Sequence, residues 1–218
     1  MAEAGESAKR TVIIAVDGPA ASGKGTLARR LAASFGLGHL DTGGLYRAVA
    51  SRMLRQGGDP ADETAGAKAA QNLEQKDLEA PDLRAEEVGQ AASVVSAHAG
   101  VREALLAYQR QFAATPPGAV LDGRDIGTVV CPEADGKIYL EAPVEVRARR
   151  RVKELRLRGV ESIESRVLQE MQDRDARDSG RAVAPLRAAA DALKVDTSDL
   201  SPEEVFDRAL SYLTARLD

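Results

Sequence analysis

Short apolar runs alternate along this chain with longer segments in which apolar residues recur at helical spacing. The first run, TVIIAVDG at 11–18, is rich in β-branched residues and ends in Asp-Gly. That pattern is typical of a strand buried on both faces. The next segment stops at Gly36, and its apolar positions are Leu27, Ala28, Leu31, Ala32 and Phe35. The pattern therefore predicts a strand, a glycine-rich turn and a helix, in that order.

Four further runs have the character of strands, namely GHLDT, GAVLDG, KIYLEA and ALKVDTS. Each run is short and mostly apolar, and helix-like sequence separates it from the next. Strands that alternate with helices favour a parallel sheet, because each connection must cross back over the sheet. We therefore predict an α/β fold with a central parallel five-stranded sheet and helices on both faces.

Two segments fit this sheet less well. Residues 57–89 are acidic, rich in Ala and poor in β-branched residues, so we expect a mostly helical insert. Residues from about 146 to 185 are dense in arginine and predict helices that stand partly in solvent. We expect part of the cluster of Arg147, Arg149, Arg150 and Arg151 to lie on a helix surface. Residues 11–218 are predicted to form a single domain, after a polar, flexible tail at 1–10.

Composition excludes several functions. Aromatic residues make up only 3% of the chain and the net charge is −4, which argues against a nucleic-acid partner. No apolar run approaches the roughly 20 residues that span a bilayer, and the N-terminus has no signal-peptide core. The one cysteine, Cys131, cannot form an intrachain disulfide and is interpreted as a packing residue. We expect a cytoplasmic protein without a membrane partner.

The stretch GPAASGKGT has the composition of a phosphate-binding loop, because small residues let backbone N–H groups surround phosphate oxygens at a helix N-terminus. Lys24 is predicted to contact the β- and γ-phosphates, and the Thr26 hydroxyl to contact Mg²⁺. Gly25 stands where a Ser or Thr is usual in such loops. The predicted ATP-binding residues are Gly18, Pro19, Ala20, Ala21, Ser22, Gly23, Lys24, Gly25 and Thr26.

Four further motifs, in order, make the chain similar to the bacterial cytidylate kinases, a family of nucleoside monophosphate kinases. They are LDTGGLYRAVA, AASVVSAHAGVREAL, VLDGRDIGTVVCPEADGKIYLEA and RDARDSGRAVAPLRAAADALKVDTS. The resemblance extends from Val12 to Leu213. It implies a P-loop kinase fold, with an acceptor-binding insert at about 57–89 and an arginine-rich lid at about 146–181. The insert looks shorter than in many members.

The resemblance also implies the reaction, which is phosphorylation of CMP and dCMP by ATP with Mg²⁺, carried out by a monomer. Both reactants are strongly anionic, and arginine holds phosphate through two parallel hydrogen bonds. In RDARDSGR, the residues Arg174, Asp178 and Arg181 recur at the spacing of one helix face. By resemblance, Arg174 and Arg181 contact the acceptor nucleotide and Asp178 contacts its ribose. Arg177 is the candidate arginine on the transferred phosphoryl group.

Other acceptor-side residues follow from the remaining motifs. Asp122 and Arg124 come just after a predicted strand, at the edge where ligands bind in open α/β sheets. The resemblance assigns Arg124 to the acceptor and makes Asp122 and Asp125 acceptor or supporting groups. It also assigns acceptor roles to Thr42, Arg47, Ser93 and Arg102, with Arg47 on the phosphate and Ser93 on the base edge. Tyr46 is interpreted as packing, and neither His39 nor His98 is given a role. The predicted catalytic residues are Lys24, Arg124 and Arg177.

Three alternatives stay open at this stage. A monophosphate kinase that prefers AMP or UMP would differ from this one by a few polar contacts to the base. A small-metabolite kinase would not need paired arginine clusters on the acceptor side. A GTP-binding switch could use the Asp-x-x-Gly pattern at 41–44, but the sequence has no Asn-Lys-x-Asp guanine motif.

Overall fold

The computed structural model describes residues 11–217 of the chain. The tail predicted at 1–10 lies outside the described residues. Within residues 11–217, five parallel strands form one sheet in the order β2-β3-β1-β4-β5. The strands are β1 (Val12–Asp17), β2 (Gly38–Asp41), β3 (Gly118–Gly123), β4 (Gly136–Glu141) and β5 (Leu193–Asp196). All five lie in the segments that the apolar pattern predicts as strands.

Helices fill the connections between the strands. They are α1 (Lys24–Phe35), α2 (Thr42–Arg55), α3 (Glu63–Gln71), α4 (Gln75–Leu78), α5 (Glu86–Val95), α6 (Ala99–Ala114), α7 (Val144–Leu157), α8 (Glu164–Gly180) and α9 (Pro202–Leu217). A short π-helix, Ile126–Val130, follows β3. Helix α1 ends where predicted, because Gly36 takes a left-handed conformation with φ 65° that favours glycine.

Alternate strand residues face opposite layers of helices. In β1, Ile14 and Val16 pack with apolar residues of α1 and α9, whereas Ala15 packs with residues of α2, α5 and α6. In β3, Val120 faces the first layer and Leu121 faces the second. Because both faces are covered, the central strands are mostly apolar, and β1 and β3 carry charged residues, Asp17 and Asp122, near their carboxyl ends. The predicted parallel sheet with helices on both faces is confirmed.

The two segments that stand apart in sequence differ in how they pack. Residues 57–89 contain α3, α4 and the beginning of α5, and they contain no strand. Ala69 and Val88 of this segment belong to the same apolar cluster as Leu121 of the sheet. The hairpin of α7 and α8 instead has a small apolar cluster of its own, made of Ala148, Val152, Leu155, Val167 and Met171. Within residues 11–217, no helix combines the length and the apolar character needed to cross a membrane.

The sheet brings distant parts of the chain to one edge. Strands β1 and β3 are neighbours, with Val16 level with Asp122 and Asp17 level with Gly123. The glycine-rich loop and residues 122–125 therefore leave the sheet side by side at its carboxyl edge. Ligands of open α/β sheets bind at this edge.

Candidate active site

A cleft of about 500 Å³ lies at the carboxyl edge, between the glycine-rich loop, α2, α5 and the α7–α8 hairpin. Nearly all of the predicted donor and acceptor residues line it. A wider hollow of about 700 Å³ lies at the turn between α7 and α8 and has no contact with the glycine-rich loop. The cleft is therefore the candidate site.

The glycine-rich loop is shaped by backbone conformations that side chains would prevent. Gly18 has φ 146°, and a Cβ atom there would lie 2.2 Å from the Leu140 carbonyl oxygen. Gly23 has φ 95° and precedes α1, which begins at Lys24. No side chain caps this helix, so its first N–H groups are available to an anion.

Lys24 is buried at the beginning of α1. Its Nζ atom donates to the Pro19 carbonyl oxygen at 2.7 Å, and the Ser22 hydroxyl oxygen is 3.5 Å away. Burial lowers the pKa of Lys24 well below its usual value, and the positive charges of Arg124 and Arg174 lower it further. Asp122 and Asp17 oppose this shift only in part. An anion in the cleft would therefore stabilise the charged form of Lys24.

Three arginines surround Asp178 on the side of the cleft opposite the loop. Arg124 donates from Nε to Asp178 at 2.8 Å, and Arg181 donates to Asp178 at 2.5 Å and to Ser96 at 2.7 Å. Burial alone would raise the pKa of Asp178, but the charges of Arg124, Arg181 and Arg174 hold it below its usual value. The carboxylate is thus ionised and neutralises only part of the cluster.

Arg174 carries charge that Asp178 neutralises only in part. Its Nε atom is buried and has no hydrogen-bond partner among residues 11–217. Burial, followed by the repulsion of Arg124, lowers the pKa of Arg174 to about 9. A buried cation is stable only when it is paired, so this guanidinium requires an anionic ligand.

A second group of side chains lies toward α5 and α6. Arg102 donates to the Asp125 carboxylate and, at 3.2 Å, to the Ser96 carbonyl oxygen. The ring of Tyr46 lies 5.6 Å from the guanidinium carbon of Arg102. Tyr46 is buried, as its interpretation as packing requires, but it also supports an arginine of the site. Ser93 accepts a hydrogen bond from Arg177 Nε at 3.2 Å, so α5 and α8 meet across the cleft.

The remaining acceptor-side candidates lie near the end of β3. Thr42 donates from its hydroxyl to the Asp122 carbonyl oxygen at 2.8 Å, a bond that ties α2 to β3. Arg47 lines the cleft and forms no hydrogen bond or ion pair within residues 11–217, so its guanidinium is available to a ligand. Asp122 lies 2.8 Å from Nε2 of His39.

Three residues that contact the site were absent from the sequence-based assignment. They are His39, which holds Asp122; Ser96, which holds Arg181; and Asp17, which accepts hydrogen bonds from Ile126 and Gly127. Asp17 is the last residue of a strand buried on both faces. Its place at the end of that apolar run is the one feature of the sequence that indicates its burial. The other two depend on contacts between residues more than 80 positions apart in the chain.

Part of the arginine cluster of α7 lies on the helix surface, as expected, because Arg149 is exposed, whereas other members turn inward. Arg147 is buried and donates to the Ala142 carbonyl oxygen at 2.8 Å and to Asp175 at 2.5 Å. Arg150 donates to the Thr197 hydroxyl at 2.9 Å, next to β5. The cause is that α7 packs against α8 and the end of the sheet, so one of its faces turns inward.

Thr26 fits the expected magnesium ion in a limited way. Its hydroxyl lies on the first turn of α1 and is exposed at the cleft. Residues 11–217 contain no group of three or more His, Cys, Asp or Glu side chains that could hold a metal ion. Mg²⁺ commonly keeps several waters and binds substrate phosphates, so a single hydroxyl beside a phosphate loop is compatible with it.

Comparisons with known proteins identify the family of this chain. The profile of a protein family described as Cytidylate kinase matches residues 14–215. A protein of Paramagnetospirillum magneticum named Cytidylate kinase is 56% identical over 209 residues, which cover 94% of this chain and 99% of that relative. A protein of the same name from Nitrobacter winogradskyi is 58% identical over 202 residues, covering 93% and 95%.

Solved structures resemble the fold at much lower identity. A gluconokinase from Sinorhizobium meliloti is 16% identical with a TM-score of 0.51, over 95% of this chain and 93% of that one. An uncharacterized protein from Eubacterium ventriosum is 13% identical with a TM-score of 0.53, over 94% and 100%. At these identities the likeness concerns the fold alone.

Proposed function

The chain belongs to the cytidylate kinase family and is a phosphotransferase, and on this premise we propose that it transfers the γ-phosphoryl group of ATP to CMP and dCMP. The products are ADP and CDP or dCDP. The observation that carries this proposal is the set of buried cations around the cleft. Lys24 and Arg174 both have lowered pKa values because burial and neighbouring positive charges oppose ionisation, and phosphate groups would remove that opposition.

ATP is the ligand of the glycine-rich loop in this proposal. The uncapped N–H groups at the start of α1 bind phosphate oxygens, and Lys24 exchanges its bond to the Pro19 carbonyl for the β- and γ-phosphates. Thr26 is the residue that would hold Mg²⁺, together with ATP oxygens and water. When bound there, the ion would supply neutralisation of the phosphate charge.

CMP is the ligand of the opposite wall. Arg47 and Arg174, which have guanidinium groups available, bind its phosphate with Arg124. Asp178, held in its ionised form by Arg124 and Arg181, binds the ribose. A planar guanidinium forms two parallel hydrogen bonds to phosphate. These arginines therefore orient the attacking oxygen and also compensate its negative charge.

The base lies toward α5 and α6 in this proposal. Ser93, Arg102 and Asp125 are the polar groups there, and Arg102 and Asp125 are already bonded to each other. The exocyclic amine of cytosine donates hydrogen bonds where uracil offers a carbonyl oxygen. A pocket that accepts from this amine leaves a polar group unpaired when UMP binds, at a cost of about 1–3 kcal/mol per group.

The transfer step needs positioning more than covalent chemistry by the protein. An oxygen of the CMP phosphate forms a bond to the γ-phosphorus, and the bond from that phosphorus to the β–γ bridging oxygen breaks. The attacking oxygen is already anionic, so no general base is needed. We assign Lys24, Arg124 and Arg177 to the charge on the transferred group.

Closure of the cleft belongs to the same proposal. Water beside the γ-phosphate would hydrolyse ATP, so the arginine-rich lid, about 146–181, and the insert, about 57–89, close when both nucleotides are bound. Two contacts already join these segments. Arg151 of α7 pairs with Glu86 at 2.6 Å, and Arg158 donates to the Arg84 carbonyl oxygen at 2.6 Å.

We further propose that the enzyme acts as a monomer in the cytoplasm. The single cysteine, Cys131, is buried, and burial raises the pKa of its thiol to about 11, so it is suited to packing rather than to redox chemistry. Light scattering after size exclusion would measure the mass directly.

The experiment that tests the proposal is an ADP-release assay with ATP and a panel of nucleoside monophosphates. We expect kcat/KM for CMP and dCMP to exceed that for UMP by about tenfold or more, with AMP poorer still, because each unpaired polar group costs about one to two decades. The Lys24→Met variant is the control for contaminating kinases.

A preference for AMP or UMP would overturn the acceptor assignment while leaving the kinase assignment intact. Absence of turnover with every monophosphate would overturn both the acceptor assignment and the assigned roles of the arginines. The GTP-binding switch is not favoured, because the chain matches a kinase family over residues 14–215.

A further inference from the structure

Asp17 is a buried carboxylate that none of the proposed steps uses. It is the last residue of β1 and comes directly before Gly18 of the glycine-rich loop. Its side chain is 4% exposed. One oxygen accepts a hydrogen bond from the Ile126 backbone N–H at 2.8 Å, and the other accepts from the Gly127 N–H at 2.7 Å.

These two N–H groups belong to the segment that carries the acceptor-side residues. Ile126 and Gly127 follow Arg124 and Asp125 directly, and those two residues bind Asp178 and Arg102 respectively. Gly127 packs closely against Asp17 at this point. A Cβ atom at position 127 would lie 3.4 Å from Asp17 Oδ2 and 3.2 Å from Cδ of Lys137. Asp17 therefore joins the base of the donor loop to the base of the acceptor segment.

We infer that Asp17 is a positioning residue for phosphoryl transfer, and that its ionised carboxylate holds the segment 124–127 so that the acceptor is in line with the donor loop. This inference rests on the proposed function. It concerns geometry at the reacting atoms, where a displacement of about 1 Å can cost about a hundredfold in rate.

The charge matters because two donors require two acceptors. A carboxylate offers an acceptor oxygen to each N–H group, whereas a protonated acid or an amide offers one acceptor and one donor. In the neutral forms, one backbone N–H would face another donor. The segment 124–127 would then shift, and Arg124 and Asp125 would shift with it.

The surroundings of Asp17 make its ionisation sensitive to pH near neutrality. Burial, with a smaller contribution from the charge of Asp125, raises the pKa of Asp17 from its ordinary value of 3.8 to about 6. The two backbone N–H groups and Lys24 act in the opposite direction. Burial is the main cause that raises the pKa of the Tyr139 phenol on β4 and of the Cys131 thiol at the end of the π-helix, and the charge of Asp17 adds to both shifts.

The sign of the linkage follows from this shift. Since the folded pKa lies above that of the unfolded chain, protonated Asp17 adds stability that is fully present below about pH 4 and is lost as the pH rises through about 6. Above that pH the folded protein holds a charge that burial disfavours. Activity has the opposite dependence, because the ionised form is the one that accepts both hydrogen bonds.

The test compares wild type with Asp17→Asn across pH. The substrate phosphates titrate alike for both enzymes, so their effect cancels in the ratio of kcat/KM for CMP. We expect wild type to exceed the variant by about tenfold or more at about pH 8. The ratio should fall by about fourfold by about pH 5.5, as Asp17 of the wild type becomes protonated. Affinity for an ATP analogue alone should change by less than about twofold.

The matched control is Asp135→Asn. Asp135 accepts a hydrogen bond from the Ile13 N–H at 2.8 Å, at the opposite end of the same strand. If loss of the Asp135 carboxylate acts only through stability, the ratio of kcat/KM for CMP between wild type and this variant will not vary with pH. Asp17→Glu is a second variant that keeps the charge but is longer by one methylene, and it should retain the acid-side pH dependence at a lower rate.

Two outcomes would overturn the inference. One is an Asp17→Asn variant with the kcat/KM of wild type at about pH 8. The other is a loss that does not vary with pH and affects ATP-analogue affinity as much as CMP turnover. If the wild-type enzyme failed to phosphorylate CMP at all, the proposed function itself would be wrong. The wild-type assay separates the two failures.

Discussion

Single residues around the cleft carry charge that neighbouring carboxylates neutralise only in part. Lys24 is held by a carbonyl oxygen and a hydroxyl, and Arg174 Nε has no partner within residues 11–217. A carbonyl oxygen and a hydroxyl carry no formal charge, so they do not neutralise the Lys24 ammonium. In the proposed function, substrate phosphates complete these interactions, and the energy gained is available for positioning.

Replacement of Lys24 by Met should lower turnover by about a hundredfold or more, since it removes a charge that stabilises the transferring oxygens. The measurement is steady-state turnover together with thermal unfolding, because Met conserves much of the buried aliphatic volume. Near-normal turnover in a folded variant would mean that the glycine-rich loop does not bind the transferred phosphate.

Arg177 and Arg181 should respond differently to replacement by Ala. Arg177 reaches across the cleft to Ser93, whereas Arg181 is fixed by Asp178 and Ser96 beside the acceptor. We expect Arg177→Ala to lower kcat by about tenfold or more with little change in ATP affinity. Arg181→Ala should chiefly raise KM for CMP, by a similar factor. Identical effects on both constants would contradict the separate roles.

At the scale of secondary-structure elements, the α7–α8 hairpin is the part that is best equipped to move as a body. It has an apolar cluster of its own, so it keeps its internal packing when its contacts with the sheet change. The insert differs, because Ala69 and Val88 share the main apolar cluster. A motion of the insert therefore has to repack part of that cluster. Large-scale motion of packed elements of this kind is typically slower than side-chain motion.

Hydrogen exchange with and without a bisubstrate inhibitor tests this closure. We expect slower exchange in both 57–89 and 146–181 when the inhibitor is bound, with the larger change in the hairpin. Equal exchange in the two states would show that the segments do not close.

The ion pair between Glu86 and Arg151 offers a matched pair of variants for the same experiment. Its side chains are 41% and 22% exposed, so its contribution is small. Glu86→Gln should speed exchange in the ligand-free hairpin by up to about fivefold. Glu74→Gln is the control, because Glu74 pairs with Lys76 away from the hairpin.

At the scale of the whole molecule, the sequence predicts the fold well because the fold depends on repeated patterns. All five strands coincide with short apolar runs, and a parallel sheet brings the segments 18–26 and 122–125 to one edge. The helical spacing of Arg174 and Asp178 likewise places them on one face of α8. Each of these inferences needs only periodicity and strand direction.

Contacts between side chains and distant backbone groups could not be predicted in this way. His39 and Asp122 are 83 residues apart, and Asp17 and Ile126 are 109 apart. Which oxygen meets which N–H depends on rotamers and on the π-helix, and no pattern of apolar residues specifies either. The burial of Arg147 could not be predicted for a related reason, since an arginine-rich helix has the same composition whether or not one face is covered.

The partly neutralised guanidinium of Arg174 has a consequence for the evolution and engineering of this enzyme. Selection for thermal robustness favours replacing such a group by an apolar side chain, whereas selection for turnover favours retaining it. Selection for thermal robustness and selection for turnover therefore conflict at residues inside the cleft. At residues on the surface the two are independent. Heat-tolerant descendants of this protein would therefore acquire their substitutions far from the cleft, for example around the Arg30–Glu203 pair that joins α1 to α9.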